Sequence, residues 1–259
     1  MIRLAAVGDI HFATDTVGKF APHWRTLADH ADVFLLLGDL TNVGSREQAE
    51  ALARELESVP IPTLAVLGNH DHHAGDPEFV RASLERVGVR VLEGEHVTLQ
   101  VRGHSVGFAG IKGFGGGFPG ACGHAFGEPE MKAFMQLTER CAVRLEQALS
   151  ALDTDHRIAL THYAPVKDTL QGERLEIFPF LGAFQLGAAI DRGQAQLALH
   201  GHAHHGAERG MTAGGVPVRN VALPLLRRPF ALYCLDRTGL HMARDSASQA
   251  ERAADIAAE

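Results

Sequence analysis

Cysteine is scarce: Cys122, Cys141 and Cys234 are all that a chain of 259 residues contains. Three scattered thiols build neither a disulfide framework nor a thiolate zinc module, so the expected compartment is reducing. A surplus of positive charge is also missing, with 24 Lys+Arg against 31 Asp+Glu and a net charge of −7. That balance excludes a general attraction to nucleic acid or to an anionic membrane, and any anionic substrate must meet a local positive site. No apolar run approaches the ~18 residues that a spanning helix requires. The first one, "IRLAAVGDIH", begins at residue 2 and turns polar within ten residues, which is no signal peptide. There is no repeat of fixed period and no Ser/Pro linker. The expectation is a cytoplasmic protein with a single domain over 1–242, followed by an Ala-rich polar tail over 243–259.

What is present is apolar material, 46% of the residues, enough for one large core or two modest ones. Runs of strand length alternate with helical patterns, the mark of α/β organisation. Ser45 with Gln48 forms a capping-box signature ahead of Ala49, Leu52, Ala53 and Leu56. Asp76-Pro77 opens a second helix, with Val80, Leu84 and Val87 on one face and Gly88 past its end. A third pattern runs from about Glu128 to Leu152.

The strands carry the stronger signal. "IRLAAV" runs into Gly8-Asp9-Ile10-His11, "VFLLL" into Gly38-Asp39-Leu40-Thr41-Asn42, and "TLAVL" into Gly68-Asn69-His70-Asp71. "RIAL" ends at Thr161-His162, and "QLAL" at His200-Gly201-His202-Ala203-His204. Continuous apolar strands are buried on both faces, and ligands collect outside their carboxyl ends, so the five clusters are expected along one rim. The glycines at 8, 38, 68 and 201 stand where each strand breaks into a turn.

Aspartates, imidazoles and one amide carbonyl form a mixed O/N donor set without thiolate, suited to Mn, Fe, Zn, Ni or Co. Asp9, His11, Asp39, Asn69, His162, His202 and His204 are seven candidate ligands, too many for one ion with an open position. Two divalent metal ions sharing a carboxylate fit better. Such a pair generates hydroxide near neutral pH and clamps phosphoryl oxygens during in-line displacement.

The ordered set Asp-x-His, Gly-Asp-x-x-Asn, Gly-Asn-His-Asp, a lone His and Gly-His-x-His resembles the calcineurin-like metallophosphoesterase superfamily over residues 3 to 206. It is most similar to the bacterial cyclic-nucleotide phosphodiesterase-like branch. The resemblance implies an α/β fold: a two-layer sandwich of mixed β-sheets flanked by helices, with a dimetal site at the strand ends. It implies that Asp9, His11 and His204 hold one ion, that Asn69, His162 and His202 hold the other, and that Asp39 bridges them. A hydroxide between the ions would attack phosphorus. His70 would face the substrate and protonate the leaving group, with Asp71 holding its other ring nitrogen. Asn42 departs from the Gly-Asp-x-x-Asp form of much of the superfamily. Leu67 stands where the Ser/Thr protein phosphatase branch carries arginine, which argues against a phosphoprotein substrate.

The stretch 111–130, "IKGFGGGFPGACGHAFGEPE", lacks the Gly-Lys-Ser/Thr ending of a P-loop. It reads either as a long flexible loop or as a lid in which Lys112 meets a phosphate and Phe114 or Phe118 packs on the substrate. In 169–193, Phe178, Phe180 and Phe184 read as core, and the segment is a candidate homodimer contact. His72 and His73 read as exposed loop residues, and His200 and His205 as surface or supporting imidazoles. "VPVRNVAL" and "FALYCLDRTGLHM" are expected to finish the second sheet. The leading reading is a phosphodiesterase acting on a small phosphoester, a nucleotide being one candidate. Its rivals are a silent scaffold of the same fold, a monoesterase or nuclease on it, and an amidohydrolase on a (β/α)₈ barrel.

Overall fold

A computed structural model describes residues 1–236 and the strand 239–242. The Ala-rich tail over 243–259 lies outside the described residues. The chain alternates as expected, through β1 (Ile2–Val7), β2 (Val33–Leu37), β3 (Thr63–Val66), β4 (Arg90–Val91), β5 (Glu95–Val101) and β6 (His104–Ile111). After the short pair β7 (Gly117–Phe118) and β8 (Ala121–Cys122) come β9 (His156–Thr161), β10 (Leu197–His200), β11 (Arg209–Met211), β12 (Pro217–Asn220), β13 (Ala231–Asp236) and β14 (Gly239–Met242).

Two six-stranded mixed sheets result, in the orders β14-β13-β1-β2-β3-β4 and β11-β12-β10-β9-β6-β5. β1, β2 and β3 are parallel to one another, and β9 is parallel to both β6 and β10. The sheets pack face to face: Leu4, Leu35, Leu37 and Val66 of the first bury against Phe108, Ile158, Leu160 and Leu199 of the second. The opposite face of the first sheet, with Phe34, Leu36 and Ala65, is covered by helices Arg46–Leu56 and Pro77–Arg86 through Leu52, Leu56, Val80 and Leu84. Helices Pro129–Ser150 and Phe184–Arg192 cover the second sheet through Leu145, Leu149, Leu186 and Ile190. Both faces of each sheet are therefore buried, which is why the strands read as unbroken apolar runs instead of alternating ones. This is the expected helix–sheet–sheet–helix sandwich, and two open sheets rule out the (β/α)₈ barrel.

The caps behave as their residues dictate, with one variation. Ser45 Oγ accepts from Gln48 N, but the Gln48 carboxamide oxygen accepts from Val43 N, two residues ahead of the cap. Asp76 caps the next helix by accepting from Phe79 N, and Pro77 occupies its first turn. One expectation needs correction. β12 joins the second sheet beside β10, but β13 and β14 complete the first, β13 lying antiparallel to β1. Among the described residues no helix is long and apolar enough to cross a membrane.

Candidate metal centre

The loops after β1 and β2 are stitched together: His11 N donates to Asp39 O at 3.0 Å, Phe12 N to Leu40 O at 2.9 Å, and Asn42 N to Phe12 O at 3.0 Å. The buried Glu55 carboxylate accepts from the backbone N–H of Gly18, Phe20 and Ala21, tying down the chain that follows His11. Asp9, His11, Asp39 and His202 all have positive φ, between 41° and 71°. Non-glycine residues in that region carry strain of about 1–3 kcal/mol each, and strain held by surrounding structure concentrates at functional sites. The neighbouring glycines serve close approach. A Cβ on Gly68 would fall 2.1 Å from Asp39 Oδ1, and one on Gly201 would fall 2.3 Å from Asp9 Oδ2.

All seven candidate ligands meet at this rim. Asp39 stands between two groups: its Oδ1 is 3.3 Å from His162 Nε2, and its Oδ2 is 3.9 Å from His11 Nε2. His162 Nε2 is also 3.0 Å from Asn69 Oδ1, and Asp9 Oδ1 is 3.0 Å from His204 Nε2. The donor atoms of Asp9, Asp39, His162 and His202 lie within 4.8 Å of one another, as do those of Asp9, His11 and His204. Backbone acceptors set the tautomers. His162 Nδ1 donates to Leu37 O at 2.9 Å and His202 Nε2 to Phe180 O at 3.1 Å, so Nε2 of the first ring and Nδ1 of the second are the nitrogens that could hold a metal.

The electrostatics are those of a site built for cations. Burial opposes charge on Asp39, yet the His162 imidazolium and its hydrogen bond hold the carboxyl well below the carboxylate range. Burial likewise opposes charge on His162, but Asp39 beside it pushes the ring up to about 9. Burial and the neighbouring His162 push His202 down to about 3. His11 Nε2 is buried and has no hydrogen-bond partner. An orphaned imidazole nitrogen facing carboxylates, with imidazole, carboxylate and amide oxygen around it, suits a divalent transition ion.

His70 lies at this rim, its ring 4.5 Å from that of His11 and its Nε2 4.0 Å from Asp39 Oδ2. Its backbone N donates to Asp39 Oδ1 at 2.8 Å. Asp71 does not hold the ring. The Asp71 carboxylate is fully buried and accepts from Leu40 N, Thr41 N, Thr41 Oγ1 and Gly68 N. Burial pushes that carboxyl above its ordinary value while the donors pull against it. The acceptor for His70 Nδ1 is the backbone carbonyl of Asn42, at 2.7 Å.

The surroundings correct other expectations. The stretch after β6 is no flexible loop through residue 118: Gly116 N donates to Pro179 O and Gly117 N to Gly182 O, and Phe118 is core, packed with Leu170 and Leu181. Phe118 therefore does not pack on substrate. Phe178 is half-buried, but Phe180 and Phe184 are exposed, not core. His200 is buried and bonded to Gly201 O and Thr169 Oγ1, a supporting role, whereas His72, His73 and His205 are exposed. Lys112 receives His162 N and Tyr163 N on its carbonyl, and its Nζ lies 5.2 and 5.4 Å from the ring centres of Phe114 and Tyr163. Sequence reasoning missed Tyr163, whose ring is 4.4 Å from that of His202, and the Asn42 and Phe180 carbonyls. The adjacency of Tyr163 to His162 was a usable signal; a backbone carbonyl leaves none.

Residues 2–206 match the family model of the calcineurin-like phosphoesterases. A curated protein from Moraxella catarrhalis (strain BBH18), named "Probable cyclic nucleotide phosphodiesterase", is 34% identical over 99 residues, or 35% of this chain and only 34% of that protein's own length. Among solved structures, the phosphopantetheinyl hydrolase PptH of Mycobacterium tuberculosis superposes with a TM-score of 0.61 at 15% identity, covering 95% of this chain and 96% of that one. TT1561 of Thermus thermophilus superposes with a TM-score of 0.60 at 18% identity, covering 94% and 98%. At such identities the likeness is one of fold.

Proposed function

Because this chain belongs to the calcineurin-like phosphoesterase family, we propose that it is a phosphodiesterase that works with two divalent metal ions. The observation that carries this reading is the placement of Asp39, whose two oxygens face His162 on one side and His11 on the other. Asp9, His11 and His204 would hold one ion, Asn69, His162 and His202 the other, and Asp39 would serve both. Bound there, the ions supply a reactive water near neutral pH and positive charge for the phosphoryl oxygens, charge that a chain of net −7 otherwise lacks.

The protein's own groups do the rest. The tautomers fixed by Leu37 O and Phe180 O keep the donor nitrogens aimed inward without a reorganisation cost at the moment of reaction. A water oxygen bonds to phosphorus as the bond to the leaving oxygen breaks; the leaving oxygen takes a proton from His70 Nε2, and the proton that the attacking water loses passes to solvent. The Asn42 carbonyl keeps the Nδ1 proton in place, leaving Nε2 as the nitrogen that gives up and regains one. The Lys112 ammonium lies over the rings of Phe114 and Tyr163, the latter 4.4 Å from the His202 ring, with the Glu93 carboxyl as its acidic neighbour, and it would offer positive charge to a bound ester.

Diesters are preferred over phosphoproteins because Leu67 leaves no arginine before Gly-Asn-His, and because the Moraxella relative carries a phosphodiesterase name. A turnover panel with Mn²⁺ tests this, using bis(p-nitrophenyl) phosphate, 3′,5′-cyclic AMP and p-nitrophenyl phosphate. Hydrolysis of either diester is expected; activity confined to the monoester overturns the reading.

A further inference from the structure

One side of the centre is closed by a circuit of contacts that begins and ends on His202. Its ring lies 4.4 Å from Tyr163, Tyr163 lies 5.8 Å from Phe114, Phe114 lies 5.1 Å from Phe134, and Phe134 lies 6.5 Å from Phe180. Phe180 returns to His202 through its carbonyl, 3.1 Å from Nε2. The inner part of this shelf is occupied, since Tyr163 is 7% exposed and the Lys112 ammonium sits over Tyr163 and Phe114. Its outer part is open, with Phe180 62% exposed.

A single exposed phenylalanine means little by itself. This one is held in place by the glycines of 113–117. A Cβ on Gly115 would fall 2.4 Å from Pro179 O and 3.3 Å from Phe180 Cα, and Gly116 N donates to Pro179 O at 2.7 Å. The glycine-rich stretch that is not a P-loop thus lets the 178–182 turn lie down on it, which fixes Phe180 with its carbonyl on His202 and its ring against Phe134.

We propose that Phe180, backed by Phe134, is a specificity-determining subsite that stacks a planar ring in the organic arm of the phosphoester, a nucleobase being the ring that the geometry and the phosphate chemistry fit together. This rests on the phosphodiesterase reading of the neighbouring centre, but its test does not need turnover. Isothermal titration of the Mn²⁺-loaded protein with thymidine 5′-monophosphate and with methyl phosphate compares a phosphate with and without a ring. Base–aromatic stacking supports an expected preference of about 10-fold for the nucleotide. Phe180→Ala should abolish that preference, and Val143→Ala, which removes an exposed apolar group from the outer helix, should retain it. Equal affinity for the two ligands in the wild type, or a preference that survives Phe180→Ala, overturns the subsite. A ring preference found in a protein that hydrolyses no diester would sustain the subsite and reject the diesterase.

Discussion

His70 gives its Nδ1 proton to the carbonyl oxygen of Asn42 at 2.7 Å, and the carboxylate next to it in sequence, Asp71, turns away into the core. An orienting acceptor on the main chain cannot be removed by changing a side chain, so Asn42→Ala should keep kcat within about threefold of wild type, a change well below the ~10²–10⁴ attributed to a positioned acid. Asp71→Asn should behave differently. Four donors converge on that carboxylate, and an amide NH₂ must face at least one of them. Denaturant melts should show a loss of about 1–3 kcal/mol, the cost of a buried unsatisfied polar group. The alkaline limb of the pH–rate profile, where a proton donor is lost, should stay where it is; movement of that limb would return Asp71 to the His70 ring.

His70→Ala tests the acid itself. Loss of a positioned proton donor should lower kcat by roughly 10²–10⁴ for an ester with an alkoxide leaving group, and far less for p-nitrophenolate, which departs without a proton. Metal content by elemental analysis should remain at the wild-type value. A drop in bound metal would mean that the ring ligates an ion, as its 4.0 Å approach to Asp39 Oδ2 would permit after a small shift.

The rim was legible in the sequence because each motif is local: a buried strand, a glycine, then a donor at Asp9, Asp39, Asn69 and His202, with Thr161 in place of the glycine before His162. What the residues could not show is what long-range pairing decides. β13 and β14 read as strands, but only packing sends them to β1 instead of β12. The Asp71 reading failed for a related reason: adjacency to His70 suggested a contact, while its real donors come from Leu40 and Thr41, about 30 positions earlier. The exposure of Phe180 follows from a turn seated on Gly115 and Gly116, which no periodicity announces.

Stability of the metal-free protein should depend on pH through the Asp39–His162 pair. Asp39 is held below the carboxylate range, so its contribution is present above the unfolded value of about 3.9 and is lost as acid protonates it. His162 is pushed up to about 9 from 6.5, so its contribution is complete below 6.5 and is lost as pH rises through about 9. The chelated protein should therefore melt at falling temperature between pH 6.5 and 9. In His162→Gln that part of the decline should vanish; an identical slope in both proteins would show that the pair does not hold.

Lys112 provides the last discrimination. Its ammonium lies over Phe114 and Tyr163, with the Glu93 carboxyl as its acidic neighbour, and its carbonyl is tied to the backbone of His162, so the chain that carries it is fixed. A charge-assisted hydrogen bond to a phosphoryl oxygen contributes about 1.5–3 kcal/mol, equivalent to roughly 10- to 100-fold in kcat/KM. Lys112→Gln should show that loss on every accepted ester, because the group contacted is the phosphate and not the organic arm. Lys112→Arg keeps the charge and should recover part of it. If the cation serves only to cover the two rings, Lys112→Gln will lose thermal stability, Lys112→Arg will keep it, and both will leave kcat/KM unchanged, so that the assignment of Lys112 to the substrate would fail.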